Sequence, residues 1–255
     1  MLLQDKVAVV YGAAGNIGSA IAHVFAKEGA RLFLVGRTQS KVRKLAEALN
    51  ADWAHFDVLD EEAVERHLTK VVAETGQVDV SLNAISIHGH LQGTALLEMP
   101  LADIMAPIDT GLRANFLTMR AAARHMVRRG AGAILTLSAT SAGLSGRDRV
   151  YHKTGGFSVA CTAIEALTRS FAGELGRHGI RVVCLRSDAL PETWPSEAEP
   201  QWRETKAYME AGTALGRLPR PEEIAFAAAF AGSDRASAMT GATVNLTCGS
   251  IMDVS

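Results

Sequence analysis

A glycine-rich run, Gly12-Ala13-Ala14-Gly15-Asn16-Ile17-Gly18, follows a β-branched stretch ending in Tyr11 and opens a segment of helical period. Glycines at this spacing let a strand turn sharply into a helix while the backbone approaches a diphosphate, whose charge is met by the unbonded N–H groups of the helix start. A glycine turn alone is often only structural; between a strand and a helix that begin a βαβ alternation it predicts dinucleotide binding. Gly36-Arg37-Thr38 ends the next β-branched run and puts a guanidinium where a site for NAD(H) would hold the ribose 2′-hydroxyl with a carboxylate. Arg37 therefore points to a 2′-phosphate, and to NADP(H) over NAD(H), the alternative being a solvated surface arginine. Asp57-Val58 and Asn83 close the third and fourth such runs, where their polar groups would line the same crevice. Candidates for moving a proton lie further on. Tyr151 comes thirteen residues after Ser138, with His152 and Lys153 beside it in a stretch rich in Gly and Ser. Folded back over the crevice, a phenol or imidazole there could do acid/base work; otherwise the stretch is an exposed polar loop. His88 and His90 lack further ligands at a recognisable spacing, so no metal is expected, and imidazole proton transfer is the other role open to them.

The elements that must position these groups alternate regularly. Strands are predicted at 6–11, 31–36, 53–56, 78–83, 133–137, 180–185 and near Val244; helices at 17–28, 41–50, 61–74, 113–128, 157–177 and from Pro221. Right-handed crossovers turn such an alternation into a doubly wound, Rossmann-like parallel sheet of about seven strands with helices on both faces, and ligands sit at the carboxyl ends of the strands. The segment 188–215 holds three prolines, Trp194, Trp202 and many charges, and is read as a lid over that crevice. With 255 residues, 48% of them hydrophobic, the chain can form one domain spanning 1–255. A net charge of −1 gives no reason to expect a nucleic acid partner. No signal peptide or membrane-length apolar run is evident, which predicts a cytoplasmic protein without a membrane partner. Cys161, Cys184 and Cys248 are an odd, scattered set without CxxC spacing, which predicts buried thiols; Cys161 falls on an apolar helix face.

With these motifs the chain resembles the short-chain dehydrogenase/reductase family over essentially its whole length. The likeness is most specific in Leu215-Gly216-Arg217, Pro221-Glu222-Glu223-Ile224-Ala225, Ser233-Asp234 and Thr240-Gly241. It implies a small-molecule substrate, assembly as a homodimer or homotetramer through the helices at 113–128 and 157–177 and the last strand, and cofactor contacts at Gly12, Ile17, Gly18, Arg37, Asp57, Val58 and Asn83. Gly15 and Asn16 complete the glycine turn. The chain departs from the family pattern at Tyr11, usually Thr; at Asn16, often Gly; and at Asn83-Ala84-Ile85-Ser86, which replaces Asn-Asn-Ala-Gly.

The larger departure concerns hydride transfer. Relatives use a Tyr and a Lys one helical turn apart, with a Ser and an Asn. Tyr151 lacks that lysine, because Gly155 stands four residues on and Lys153 would point to another side of a helix. Aligned instead on 165–172 and the strand that follows, the tyrosine position is Phe157 and the lysine position Cys161. Gly111 takes the asparagine position, the serine column falls on Ser138 or Ala139, and Ser187-Asp188 replaces Pro-Gly. Two functions are therefore expected. The first is an NADP(H)-dependent oxidoreductase acting on a small alcohol, carbonyl or enone, with Ser138, Tyr151 and His152 standing in for the lost groups. The second is the same fold without net hydride transfer, as a cofactor-sensing or partner-binding subunit or a cyclase- or lyase-type enzyme.

Overall fold

The computed structural model describes residues 1–140, 152–194 and 200–252. Seven strands form one parallel sheet in the order β3-β2-β1-β4-β5-β6-β7. They are β1 (Val7–Tyr11), β2 (Arg31–Gly36), β3 (Asp52–His55), β4 (Val80–Asn83), β5 (Gly132–Ala139), β6 (Ile180–Ser187) and β7 (Thr243–Leu246). The order reverses between β1 and β4, which places the switch-point crevice at the carboxyl ends of those two strands.

Alternation along β1 shows how the two layers are specified. Ala8 and Val10 join the core on one face with α1 (Asn16–Lys27) and α2 (Gln39–Leu49). Val7, Val9 and Tyr11 face the other way, into the core made with α3 (Glu61–Thr75) and α4 (Leu101–Arg129). The helices α5 (Gly155–Leu175), α6 (Pro200–Ala211) and α7 (Pro221–Gly232) complete the layers. Local signals set their ends: the Asp60 carboxylate accepts from Ala63 N at 3.0 Å to cap α3, which stops at Gly76 in the left-handed region. Pro221 opens α7, where the Glu223 carboxylate accepts from Arg220 N at 2.9 Å.

Two elements differ from the sequence expectation. α4 begins at Leu101, twelve residues before 113, because Pro107 and Gly111, which normally interrupt a helix, are both accommodated inside it. The approach of α5 at Gly111 and the burial of Pro107 compensate for their poor intrinsic propensity. The segment 188–215 is not irregular throughout: it contains a short 3₁₀ turn, Pro191–Thr193, and the helix α6. The apolar face expected along α5 packs inward, with Cys161 and Ile164 buried and Phe157, Leu167 and Phe171 partly buried against the same cores. No helix among the described residues is long and apolar enough to cross a membrane.

Candidate active site

The turn from β1 into α1 admits only glycine at two points. Gly12 has φ +71°, and a Cβ there would lie 2.6 Å from Ala84 O and 2.8 Å from Ile85 N, so the turn presses directly on the exit of β4. A Cβ at Gly18 would overlap the carbonyl oxygen of Gly12. Gly15 has ordinary extended geometry, and no side chain caps the start of α1. The result is a helix N-terminus with free backbone N–H groups held tight against a strand end, which fits a pyrophosphate. Asn16 is spent differently: its Nδ2 donates to Glu192 O at 2.9 Å, tying the glycine turn to the segment after β6. Ile17, in the first turn of α1, packs against the core on that face.

At the end of β2, Arg37 is exposed, and its guanidinium has no ion-pair partner among the described residues; only its carbonyl is used, accepting from His55 Nε2 at 2.8 Å. Asp57 turns its carboxylate back to accept from Leu59 N at 3.0 Å, and Val58 is buried beside it. Asn83 does not offer its amide to the crevice. Its Nδ2 donates to Thr118 Oγ1 at 3.0 Å and its Oδ1 accepts from Ile85 N at 3.1 Å, bracing the exit of β4 against α4. Tyr11 fills the core on the α3 side, its hydroxyl buried without a hydrogen-bond partner among the described residues and its ring edge-on to His67 at 6.5 Å. Burial, and secondarily Glu65, push that phenol far above its ordinary range, so Tyr11 is no proton donor at neutral pH.

Of the expected acid/base groups, Ser138 and His152 fall within the described residues. Ser138 Oγ donates to Glu165 Oε1 at 2.7 Å, and Arg186 clamps both oxygens of the same carboxylate, Nε to Oε1 at 2.8 Å and the guanidinium to Oε2 at 2.7 Å. The Ser138 hydroxyl is thus turned into the β5–α5 interface. His152 lies before α5 with its ring 5.8 Å from that of Tyr208 on α6. Tyr151 lies outside the described residues. His88 Nε2 is hydrogen-bonded with Thr110 Oγ1 at 3.0 Å and its ring meets His90 at 5.7 Å.

Phe157, Cys161 and Ala139 come together in one apolar cluster with Ile85, Ile87 and Ile108. Gly111 forms its wall: a Cβ there would stand 3.3 Å from Ile87 and 3.5 Å from Ala160 and Ile164. Cys184, in the same cluster, has its thiol pushed up to about 11, first by burial, so it stays neutral. One feature escaped the sequence reading. The buried Glu165–Arg186 pair had a signal in retrospect, since Glu165 lies four residues after Cys161 on the same helix face. Asp188, which the sequence marks as a departure from Pro-Gly, is buried just past β6, and its Oδ1 accepts from Thr140 Oγ1 at 3.1 Å and from Ala189 N at 2.7 Å. Trp194 and Trp202 stack on each other, ring centres 5.4 Å apart.

Comparison with known proteins bears on this arrangement as a whole. A family model described as enoyl-(acyl carrier protein) reductase matches residues 12–250. The chain is 33% identical over 254 residues to an L-rhamnose 1-dehydrogenase (NAD(P)(+)) of Sphingomonas sp., covering 95% of each chain. It is 33% identical over 246 residues to the (+)-cis,cis-nepetalactol synthase NEPS3 of Nepeta racemosa, covering 94% of this chain and 89% of that one. Among solved structures it matches a short-chain type dehydrogenase/reductase from Mycobacterium marinum with a TM-score of 0.84 at 27% identity, covering 98% and 97% of the two chains.

Proposed function

The chain belongs to the short-chain dehydrogenase/reductase family, and from that premise we propose that it is an NADP(H)-dependent oxidoreductase of a small alcohol, carbonyl or enone with non-standard acid/base groups. The observation that carries this reading is the β1–α1 turn, where Gly12 and Gly18 leave no room for a Cβ and α1 begins uncapped. Bound in that turn, the dinucleotide would supply or accept a hydride. Gly12, Gly15, Ile17 and Gly18 would hold the pyrophosphate end, with Asn16 anchoring the turn, and Asp57 and Val58 the adenine end. The exposed guanidinium of Arg37, which has no ion-pair partner among the described residues, supports a preference for the 2′-phosphate. Asn83 supports the site as a brace. Proton movement is assigned to the loop groups Tyr151 and His152, with Ser138 held in reserve by Glu165. The segment 188–215 is assigned the role of lid, which its tie from Asn16 to Glu192 supports. Assembly into a homodimer or homotetramer is supported by exposed Leu112 and Phe116 on α4 and Phe226 and Phe230 on α7.

A second reading, the same site used without net hydride transfer, is favoured by one observation: the cluster of Phe157, Cys161, Ala139 and Gly111 has no titratable phenol or amine among its members. A cyclase is the form of it suggested by the nepetalactol synthase relative. The two separate on stoichiometry. Purified protein is incubated with NADPH and a panel of cyclic ketones and enones, following absorbance at the nicotinamide band and product by mass spectrometry. Reduction with one NADPH consumed per product, lost in Tyr151→Phe or His152→Ala, supports the first reading. Product formed at constant NADPH supports the second, and efficient reduction unaffected by both substitutions overturns the assignment of those residues.

A further inference from the structure

The edge of the sheet opposite the crevice holds a cavity of about 340 Å³, a size that suits a small molecule. We propose that it binds the phosphoryl group of a small phosphorylated molecule, which displaces the Asp234 side chain from its cations. This site is separate from the crevice and does not rest on the oxidoreductase reading.

The cavity forms where four strands begin. Lys6 precedes β1, Asp79 precedes β4, Gly132 opens β5 and Ile180 opens β6, while Arg129 ends α4 and Asp234 follows α7. Every residue that lines it is among the described ones. Three of them are cations, Lys6, Arg129 and Arg181, and two are carboxylates, Asp79 and Asp234. Arginine stays ionised whatever its surroundings, so positive charge is left over even with both acids ionised. Apart from Ile180, the apolar part of the lining is glycine and alanine, and large side chains do not fill the room beside the cations.

The two carboxylates are not equivalent. Asp79 is buried and engaged on both oxygens: Oδ2 accepts from Val7 N at 2.7 Å and Gln77 Nε2 at 2.9 Å, and Oδ1 accepts from Arg129. It belongs to the frame. The Asp234 side chain is 85% exposed; its Oδ1 accepts from Lys6 Nζ at 2.8 Å, and its Oδ2 has no partner among the described residues. The hydrogen bond from Lys6 first, with the charges of Lys6, Arg181 and Arg129 behind it, holds this carboxyl below the usual carboxylate range. Asp234 thus marks the place where the fields of three cations meet, yet only a weak surface ion pair keeps it there.

Donors are in surplus too. Lys6 Nζ spends one of its three N–H groups on Asp234, and Arg129 donates only to Asp79 among the described residues. Thr240 Oγ1 accepts from Val182 N at 3.1 Å, which leaves its own proton to give. Arg181 is spent on the carbonyls of Ala231, Ser233 and Met239 and contributes charge alone. A carboxylate ligand would bring no more charge than the Asp234 group it replaces. A phosphoryl group brings up to two charges and three strong acceptor oxygens, so it gains where a carboxylate only exchanges.

The test is titration of the whole protein with glycerol 3-phosphate, glycerol and acetate, by calorimetry and, for the phosphate ester, by phosphorus NMR, with saturating NADPH present to occupy the crevice. Glycerol 3-phosphate is expected to bind at one site per chain, and glycerol and acetate not measurably. Asp234→Asn removes the charge that must be displaced and should tighten glycerol 3-phosphate about fivefold, the worth of one unit charge a few ångströms away in water. Lys6→Gln should weaken it at least as much. Both substitutions break only the surface pair and leave Asp79 and Arg129 in place. The proposal is overturned if glycerol 3-phosphate does not bind, if acetate binds as tightly, or if either substitution leaves its affinity unchanged. If NADPH itself fails to bind, the reading above falls, and the responses to Asp234→Asn and Lys6→Gln still decide for or against this site.

Discussion

Replacing Gly12 by alanine tests whether the glycine turn is built for close approach or is merely a loop. The new Cβ meets two costs. At φ +71° a side chain pays about 1–2 kcal/mol for the left-handed conformation. It also lies 2.6 Å from Ala84 O and 2.7 Å from Ala84 C, which are backbone atoms that cannot swing aside, and overpacking of this kind costs about 1–3 kcal/mol. Together these give a loss of about 2–5 kcal/mol, or a fall in Tm of roughly 5–15 °C for a domain of this size. Relief requires moving β1 and β4 apart at the crevice, so NADPH affinity should fall with stability. Gly15→Ala is the matched control: its backbone has ordinary extended angles, and a Cβ there would meet only Gly12 O at 3.4 Å. It should cost less than about 1 kcal/mol. Urea unfolding followed by far-ultraviolet circular dichroism, with nicotinamide fluorescence for the cofactor, reads both effects. Equal stability of the two variants would refute the close-approach argument.

Other perturbations have equally definite outcomes. His67 has a buried Nδ1, unpartnered among the described residues, beside Tyr11 and Phe56, and burial, followed by the nearby Lys70, lowers its pKa to about 4. The neutral ring therefore stabilises the fold above the unfolded value of about 6.5, and up to roughly 3 kcal/mol is lost as pH falls from there toward 4; chemical denaturation between pH 7 and 4.5 should be flatter in His67→Phe. Glu165→Ala takes the bidentate carboxylate from the Arg186 guanidinium and the acceptor from the Ser138 hydroxyl and should cost about 3–5 kcal/mol, while the double replacement of Glu165 and Arg186 by methionine should be much milder in the same unfolding assay. Asp79, buried at the other end of the sheet, accepts from Val7 N at 2.7 Å and Gln77 Nε2 at 2.9 Å and pairs with Arg129. Its replacement by alanine should cost about 3 kcal/mol, with NADPH affinity per folded molecule unchanged.

The fold was legible because its signals are local. The β-branched apolar run of β1 and the Asp60 and Pro221 helix starts each specify one element without reference to the rest. The glycine turn was legible for the same reason. The first three turns of α4 were not, because Pro107 and Gly111 are poor helix formers whose cost is offset only by tertiary contacts that periodicity does not reveal. The catalytic side was harder still. That Asn83 and Ser138 turn their polar groups inward depends on Thr118 and Glu165, 35 and 27 residues away. No spacing rule connects such partners. Asp188 looked like a departure from a family pattern; its meaning lies in a hydrogen bond from Thr140 across two strand ends.

The central claim, a working dinucleotide site whose preference is set by Arg37, is tested most directly by titrating the purified protein with NADPH and with NADH while following thermal stabilisation and nicotinamide fluorescence. A ligand held only by the folded state adds about 2.7 kcal/mol at a hundredfold excess over its Kd, a shift that is easily read. NADPH should bind at least about tenfold tighter than NADH, the worth of a charge-assisted contact, and Arg37→Glu should abolish or invert the difference. Binding of neither nucleotide, or a preference untouched by Arg37→Glu, would contradict the account.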